Sequence, residues 1–382
     1  MIKGIQFSGT AAGIKPAGLD LGLVYFEEDT NALALFTSNK VKAAHILYDR
    51  KIEKMPIRVL LVNSGCANAC TGKEGVSDLQ DIGSDLAGRL KIDLNGVRFA
   101  STGVIGRRLP VDVMKRALPN AVRSLKGTRV EDFAKAIMTT DTRQKIVRES
   151  VKGKKDYTII GVAKGSGMIN PRFATMLAFV FTDFPVSGDN IRTSFRASAK
   201  ETFERITVDG ECSTNDTIML FTRKGAEDTK ALPEFKEKLR SVLRELALMV
   251  VRDGEGATKV AHIVVSGAKD RSTAEKIARR IATSPLTKTA FFGCDPNWGR
   301  IICAAGDAGV PINPNRVDIA LQGEQIVKAG LERPFDEPTL KTLMNQKEIE
   351  VEVDLNEGKA SFDIFTTDLT FDYIKINASY RS

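Results

Sequence analysis

Two short runs, "RVLLVNSG" at 58–65 and "MLAFVF" at 176–181, constrain the fold more than any other feature of this chain. Neither alternates apolar with polar residues. Each therefore reads as a strand buried on both faces, which requires a layer of structure on either side. Both are too short to cross a bilayer. Around them, strand-like and helix-like segments alternate. "GVRFASTG" (96–103), "TIMLFTRKG" (217–225) and "KVAHIVVSGA" (259–268) read as further strands, the first ending in Ser101-Thr102-Gly103. Helices are expected at 75–91, at 110–118 with proline near the first position, at 130–138 and at 191–207. The clearest spans 233–250, where Phe235, Leu239, Val242, Leu246 and Met249 recur at helical spacing. A capping box from Ser272 to Glu275 opens another over 272–283. "LDLGLVYFE" (19–27) and "NALALFTS" (31–38) read as a hairpin about a polar turn, and strands are expected near 316–321 and 348–354. The class is mixed α/β (α+β) in two adjoining units, with a candidate boundary at Ser284-Pro285.

Composition narrows the function classes. A chain of 382 residues has room for two or three domains, and 42% hydrophobic with 27% charged residues is the balance of a soluble globular protein. The opening "MIKGIQFSGT" lacks a charged segment followed by an apolar one, so a cytoplasmic location is expected. A net charge of +8 invites a nucleic-acid reading, but the basic residues are interleaved with acids, as in "PEFKEKLRSVLREL" (233–246). Without a clustered basic footprint, neither nucleic acid nor membrane is expected as a partner. Five cysteines form no CxxC pair, and the two histidines, His45 and His262, are far apart in sequence. No disulfide framework and no metal site are expected.

Familiar catalytic motifs are missing: there is no GxGxxG, GxxxxGK[ST], HExxH or GxSxG. A Ser-His-Asp arrangement would have to use His45 or His262. One route to an activated hydroxyl needs no histidine: a threonine at a newly made chain N-terminus uses its own α-amine as base. Gly165, Gly167 and Pro171 permit an irregular backbone just before the run at 176–181. Strain at the Ala174–Thr175 bond would favour attack of the Thr175 hydroxyl on the carbonyl before it, and hydrolysis of the ester would free the amine. On the residues alone the plainer readings stand beside this one. A threonine opening a strand is what β-propensity supplies. Thr102-Gly103 is a strand-ending turn, Glu255 a polar turn after a helix, and Lys164 a solvated loop charge.

Motifs along the whole chain resemble one family. "AKGSGMINPRFATMLAFVFTD" (163–183) looks like the signature of the ornithine acetyltransferases, the bifunctional glutamate N-acetyltransferases of arginine biosynthesis. "VNSGCANACTG" (62–72), "STGVIG" (101–106), "MTTDT" (138–142), "VDGECSTNDT" (208–217), "VRDGEGATK" (251–259), "CDPNWGRI" (294–301) and "INASYRS" (376–382) resemble its motifs in the same order. The resemblance implies a four-layer αββα sandwich of the self-processing aminopeptidase type, with a smaller C-terminal α/β domain at about 286–382. It implies cleavage between Ala174 and Thr175 into chains 1–174 and 175–382, assembled as a heterotetramer of two copies of each.

It also implies residue roles. Thr175 is the nucleophile, and Thr102 with Gly103 forms the oxyanion hole. Thr139 (rather than its neighbour Thr140), Lys164, Thr175, Glu255, Asn377 and Ser382 bind substrate. The reaction implied moves acetyl from N2-acetyl-L-ornithine to L-glutamate through an acetyl-threonine, without metal or bound cofactor, and some members also accept acetyl-CoA as donor. The sequence departs from the family pattern in three places. Cys66 stands where asparagine is expected, Arg172-Phe173 precede the cleavage site, and Ser382 replaces a frequent threonine. Two alternatives are an aminopeptidase or amidase on the same scaffold, and an uncleaved basic binding protein.

Overall fold

The computed structural model describes residues 1–152, 156–170, 176–186, 188–225 and 229–379. The chain divides into two compact units, 1–204 with 212–250, and 205–211 with 251–379. Among the described residues, no helix is long and apolar enough to cross a membrane.

The first unit contains β1 (Ile5–Thr10), β2 (Leu21–Phe36), β3 (Ile57–Cys66), β4 (Val97–Val104), β5 (Lys145–Val151), β6 (Tyr157–Lys164), β7 (Leu177–Pro185) and β8 (Thr217–Arg223). They pair in the order β4-β3-β2-β8-β7-β6-β5, with β1 added to β2. The two constraining runs are β3 and β7, and both are interior strands buried on both faces. β2 joins two layers. Its first half pairs with β1 and β3, while Thr30–Phe36 pairs with β8. The expected hairpin at 19–38 is therefore one continuous strand. Exposed Glu27, Glu28 and Asp29 mark where it changes partner, and they include no glycine to make a tight turn.

Because the strand swerves there, the two halves of the sheet face each other. The Phe26 ring lies 5.2 Å from Phe221 and 6.2 Å from Phe181, and Phe7 stands edge-on to Phe181 at 5.1 Å. Residues of β1–β3 and β6–β8 thus share one core. Each fully buried phenylalanine contributes roughly 2–3 kcal/mol of hydrophobic stabilisation. Helices cover the outer faces. Ala44–Lys51, Gly72–Leu90 and Val111–Arg123 pack over β2, β3 and β4. The amphipathic helix Leu232–Arg252 lies over the other half, with Phe235 stacked on Phe184 at 4.5 Å. The result is the αββα sandwich.

The second unit holds β9 (Val260–Ala268), β10 (Asp318–Leu321), β11 (Glu324–Lys328), β12 (Leu331–Glu332), β13 (Glu348–Asp354) and β14 (Ala360–Thr367), in the order β12-β11-β10-β13-β9-β14. Of these five strand pairings, the β13–β9 pair is parallel and the others are antiparallel. β13 alternates strictly: Ile349, Val351 and Val353 are buried, and Glu348, Glu350 and Glu352 are exposed. The helix at Arg271–Ala282 is capped by Asp270, which accepts from the Thr273 amide at 2.8 Å. The expected Ser272–Glu275 capping box is thereby replaced by a cap two residues earlier, where the aspartate reaches the free amide. Ser284 caps the next helix, Pro285–Phe292, within this same unit.

Candidate active site

The ends of β4 and β6 bring four of the expected residues together, Thr102, Gly103, Thr139 and Lys164. Gly103, near the end of β4, stands in register with Gly65 of the parallel neighbour β3. Its φ is +127°, and a Cβ there would fall 2.3 Å from the Gly65 carbonyl carbon and 2.6 Å from the Cys66 nitrogen. Only glycine fits such an approach. Lys164 closes β6, and its Nζ donates to Thr139 Oγ1 at 2.7 Å and to Thr102 Oγ1 at 3.3 Å. An ammonium has no acceptor, so both threonine oxygens must accept, and each hydroxyl proton is left to be donated elsewhere.

Asp141 organises this cluster from inside the protein. Its side chain is wholly buried and lies 2.7 Å from Lys145 Nζ and 3.9 Å from Lys164 Nζ. It also accepts from the amides of Gly165 at 2.7 Å and Thr139 at 3.0 Å. Burial alone would push its pKa up, but the two lysines and the amide bonds outweigh burial and hold the carboxyl down at about 2. Lys15 reaches the same neighbourhood and donates to the Met138 carbonyl at 3.0 Å. Burial lowers its pKa, Asp20 and Asp141 oppose the fall, and Lys164 adds to it. The loop carrying Lys15 is fixed by Asp20, which accepts the amides of Ala12, Gly13, Ile14 and Lys15.

A third strand end completes the frame. Asn215, just before β8, donates from Nδ2 to the Ala67 carbonyl at 2.6 Å and the Ser101 carbonyl at 2.7 Å, the latter directly before Thr102. Buried Asp216 is pushed well above the carboxylate range by desolvation, against the pull of Ser213, Lys164 and Thr37. The Thr217 amide donates to the carbonyl of Met176 at 2.9 Å, and Met176 follows Thr175 in the chain. Arg172, Phe173, Ala174, Thr175 and Ser382 lie outside the described residues.

This framework can be set beside known proteins. A model of the ArgJ family matches residues 6–382. "Arginine biosynthesis bifunctional protein ArgJ" of Desulfotalea psychrophila is 43% identical, with 100% of each chain covered, and its namesake in Syntrophotalea carbinolica is 42% identical over 100% and 99%. The chain belongs to the ArgJ family. The crystal structure of ArgJ from Bacillus halodurans matches at a TM-score of 0.50 and 34% identity, over 53% of this chain and 98% of that one.

Two further residues singled out in this ArgJ-family sequence meet in the second unit. Asn377 donates from Nδ2 to Glu255 Oε2 at 2.9 Å and to the Tyr373 carbonyl at 3.0 Å. The turn that carries Glu255 presses on the helix Phe371–Ser379: at Gly256, φ is +64° and a Cβ would lie 2.4 Å from the Tyr373 nitrogen. The histidines take other roles. His45 is fully buried against Thr217 Oγ1 at 3.1 Å, and desolvation pushes its pKa down to about 3. His262 stacks on Phe365, with Nε2 3.4 Å from Asp363. The departure at Cys66 is structural, since its buried thiol donates to the Arg107 and Arg108 carbonyls. Sequence reasoning did not single out Asp141, Lys145, Lys15 or Asn215. Asp141 and Asn215 stand inside the quoted motifs "MTTDT" and "VDGECSTNDT", so a signal was present for those two.

Proposed function

We propose that the chain is a self-processing acetyltransferase of arginine biosynthesis that moves acetyl from N2-acetyl-L-ornithine to L-glutamate. The observation that carries this reading is the Lys164 ammonium, backed by Asp141 and donating to both Thr102 and Thr139. That contact orients the Thr102 proton outward, as an oxyanion-hole donor requires. Thr175, freed at its amine by cleavage after Ala174, attacks the acetyl carbonyl through Oγ, and its α-amine takes the hydroxyl proton. The developing oxyanion receives the Thr102 hydroxyl and the Gly103 amide. Collapse expels ornithine, which leaves with the proton returned by the amine, and acetyl remains on Thr175 as an ester. The amine of glutamate then attacks the ester, and the same groups act in reverse order to release N-acetyl-L-glutamate.

Thr139 and Lys164 are assigned to the substrate's polar groups, Glu255 to the ornithine side-chain amine, and Asn377 and Ser382 to orientation. The route needs no metal or bound cofactor, and acetyl-CoA as an alternative donor belongs to the same proposal. Chains 1–174 and 175–382 assemble in this reading as a cytoplasmic heterotetramer, two copies of each. The Bacillus halodurans match supports the division, since nearly the whole of that chain covers about half of this one.

The test is the intact mass of the wild type beside Thr175→Ala, followed by acetyl-transfer assays. Expected are two chains that join at 174/175 in the wild type, a whole chain in the variant, and transfer only in the wild type. A wild type that stays whole and transfers no acetyl overturns the reading. Release of acetate to water, with no transfer to glutamate, would favour an amidase.

A further inference from the structure

A second reactive pair stands in the second unit, apart from any role assigned above. Lys259 opens into β9 with its side chain buried, and its Nζ donates to the carbonyls of Phe291 at 2.9 Å and Phe292 at 3.1 Å. Its third neighbour is the sulfur of Cys294, only 2.8 Å away. That is the length of a hydrogen bond to oxygen, roughly 2.9 Å, although sulfur is the larger atom and keeps N–H donors farther off. It is also much longer than a direct bond between nitrogen and sulfur. The separation suits the two atoms held on either side of a single bridging atom.

The surroundings hold them there. Cys294 adopts φ +52°, a left-handed conformation that a side chain of its kind enters only when its neighbours impose it. Its thiol is part-exposed, so a small oxidant can reach it, and it donates to the side-chain oxygen Oδ1 of Asn345 at 3.6 Å. Lys259 is fixed at its backbone as well: its amide donates to Asp368 Oδ1 at 3.1 Å and its carbonyl accepts from the Asp368 amide.

We propose that Lys259 and Cys294 form an oxidative crosslink site, in which peroxide joins Nζ to Sγ through one oxygen atom. The step balances with two equivalents of hydrogen peroxide. The first oxidises the thiol to the sulfenic acid and leaves as water. The second oxidises the neighbouring amine as an N–O bond forms, and the hydroxyl hydrogen of the sulfenic acid and one N–H hydrogen depart in two molecules of water. Sulfur and nitrogen each give up two electrons, and any ammonium proton passes to solvent. The bridge would staple the root of β9, just after the Glu255 turn, to the segment between the helices Pro285–Phe292 and Trp298–Gly306. Thiol reductants would reopen it by attack on sulfur.

The test is a peptide map of the full protein after hydrogen peroxide, with and without dithiothreitol. Expected is one linked species containing Lys259 and Cys294, heavier by one oxygen and lighter by two hydrogens than the two separate peptides, and abolished by the reductant. Cys294→Ser and Lys259→Arg should each lose it while the exposed Cys70 and Cys303 still oxidise. The proposal falls if oxidised Cys294 carries oxygen without loss of hydrogen while Lys259 stays a free amine, or if neither residue changes mass. Should a variant fail to fold, the wild-type map alone decides.

Discussion

The two units bury lysine side chains in opposite ways. In the first, Lys145 and Lys164 close on the carboxylate of Asp141, and the charges compensate one another inside the protein. In the second, Lys288 is buried with no carboxylate in contact among the described residues. Its Nζ donates to the carbonyls of Val208 at 2.7 Å and Thr367 at 2.5 Å and to the hydroxyls of Thr366 and Thr367. Desolvation brings its pKa down to about 8, although Asp209 and Asp368 pull the other way. A carbonyl cage holds a lysine in place whether or not it is charged. A carboxylate cluster fixes the charge itself, and only a fixed ammonium can keep two threonine hydroxyls turned outward over the working pH range.

The comparison breaks most sharply at Asp141. Asp141→Asn leaves two lysines without their counter-charge, and the expected loss of stability is about 3–5 kcal/mol, read from denaturant midpoints. A loss below about 1 kcal/mol would mean that water or Asp216 compensates instead, and the distinction between the units would fail.

The pH dependence sharpens it, because both groups make stability rise with pH but in separate windows at the two ends of the scale. For Lys288, the ordinary value is 10.5 and the folded one about 8. Between these values the unfolded chain keeps a proton that the folded chain has released, so stability rises with pH across that window. The gain is about 3 kcal/mol at most, and it should vanish in Lys288→Met. For Asp141 the ordinary value is 3.8 and the folded one about 2. Its contribution is present above 3.8 and is lost as pH falls through about 2, an expected drop of about 2 kcal/mol. Unfolding curves of the wild type and each variant at matched pH isolate the two groups from the remaining titrations.

The same contrast explains what could be read from the sequence. β3 and β7 were legible because an unbroken apolar run states its own burial, whatever lies next to it. The strand β2 was not. Glu28, Asp29 and Thr30 look like a turn, and only pairing with β8, supplied from far along the chain, carries the backbone on as one strand. Thr102, Gly103, Thr139 and Lys164 came from family motifs, and the structure supplies a physical reason for Gly103 in the backbone of β3. The buried support was harder to see. Nothing local says that the aspartate of "MTTDT" will receive Lys145, Lys164 and the Gly165 amide together, because each contact exists only once β5 and β6 are paired. Lys15 carries no signal at all, since its place is set by four amides gathered on Asp20.

The smallest expected change in stability comes from Asn377→Ala, and it separates a residue kept for function from one kept for the fold. The bond from Asn377 Nδ2 to Glu255 Oε2 is exposed, and such contacts contribute less than about 1 kcal/mol. The fold should therefore barely register the substitution. The proposed role makes the opposite demand on binding: Asn377 keeps the Glu255 carboxylate aimed, and without it the KM for N2-acetyl-L-ornithine should rise about tenfold, equivalent to about 1.4 kcal/mol. Glu255→Gln should move KM further, because it removes the charge as well as the alignment. If both variants keep the wild-type KM and melt where the wild type melts, the Glu255–Asn377 contact is ordinary surface. The substrate amine must then be held by another carboxylate.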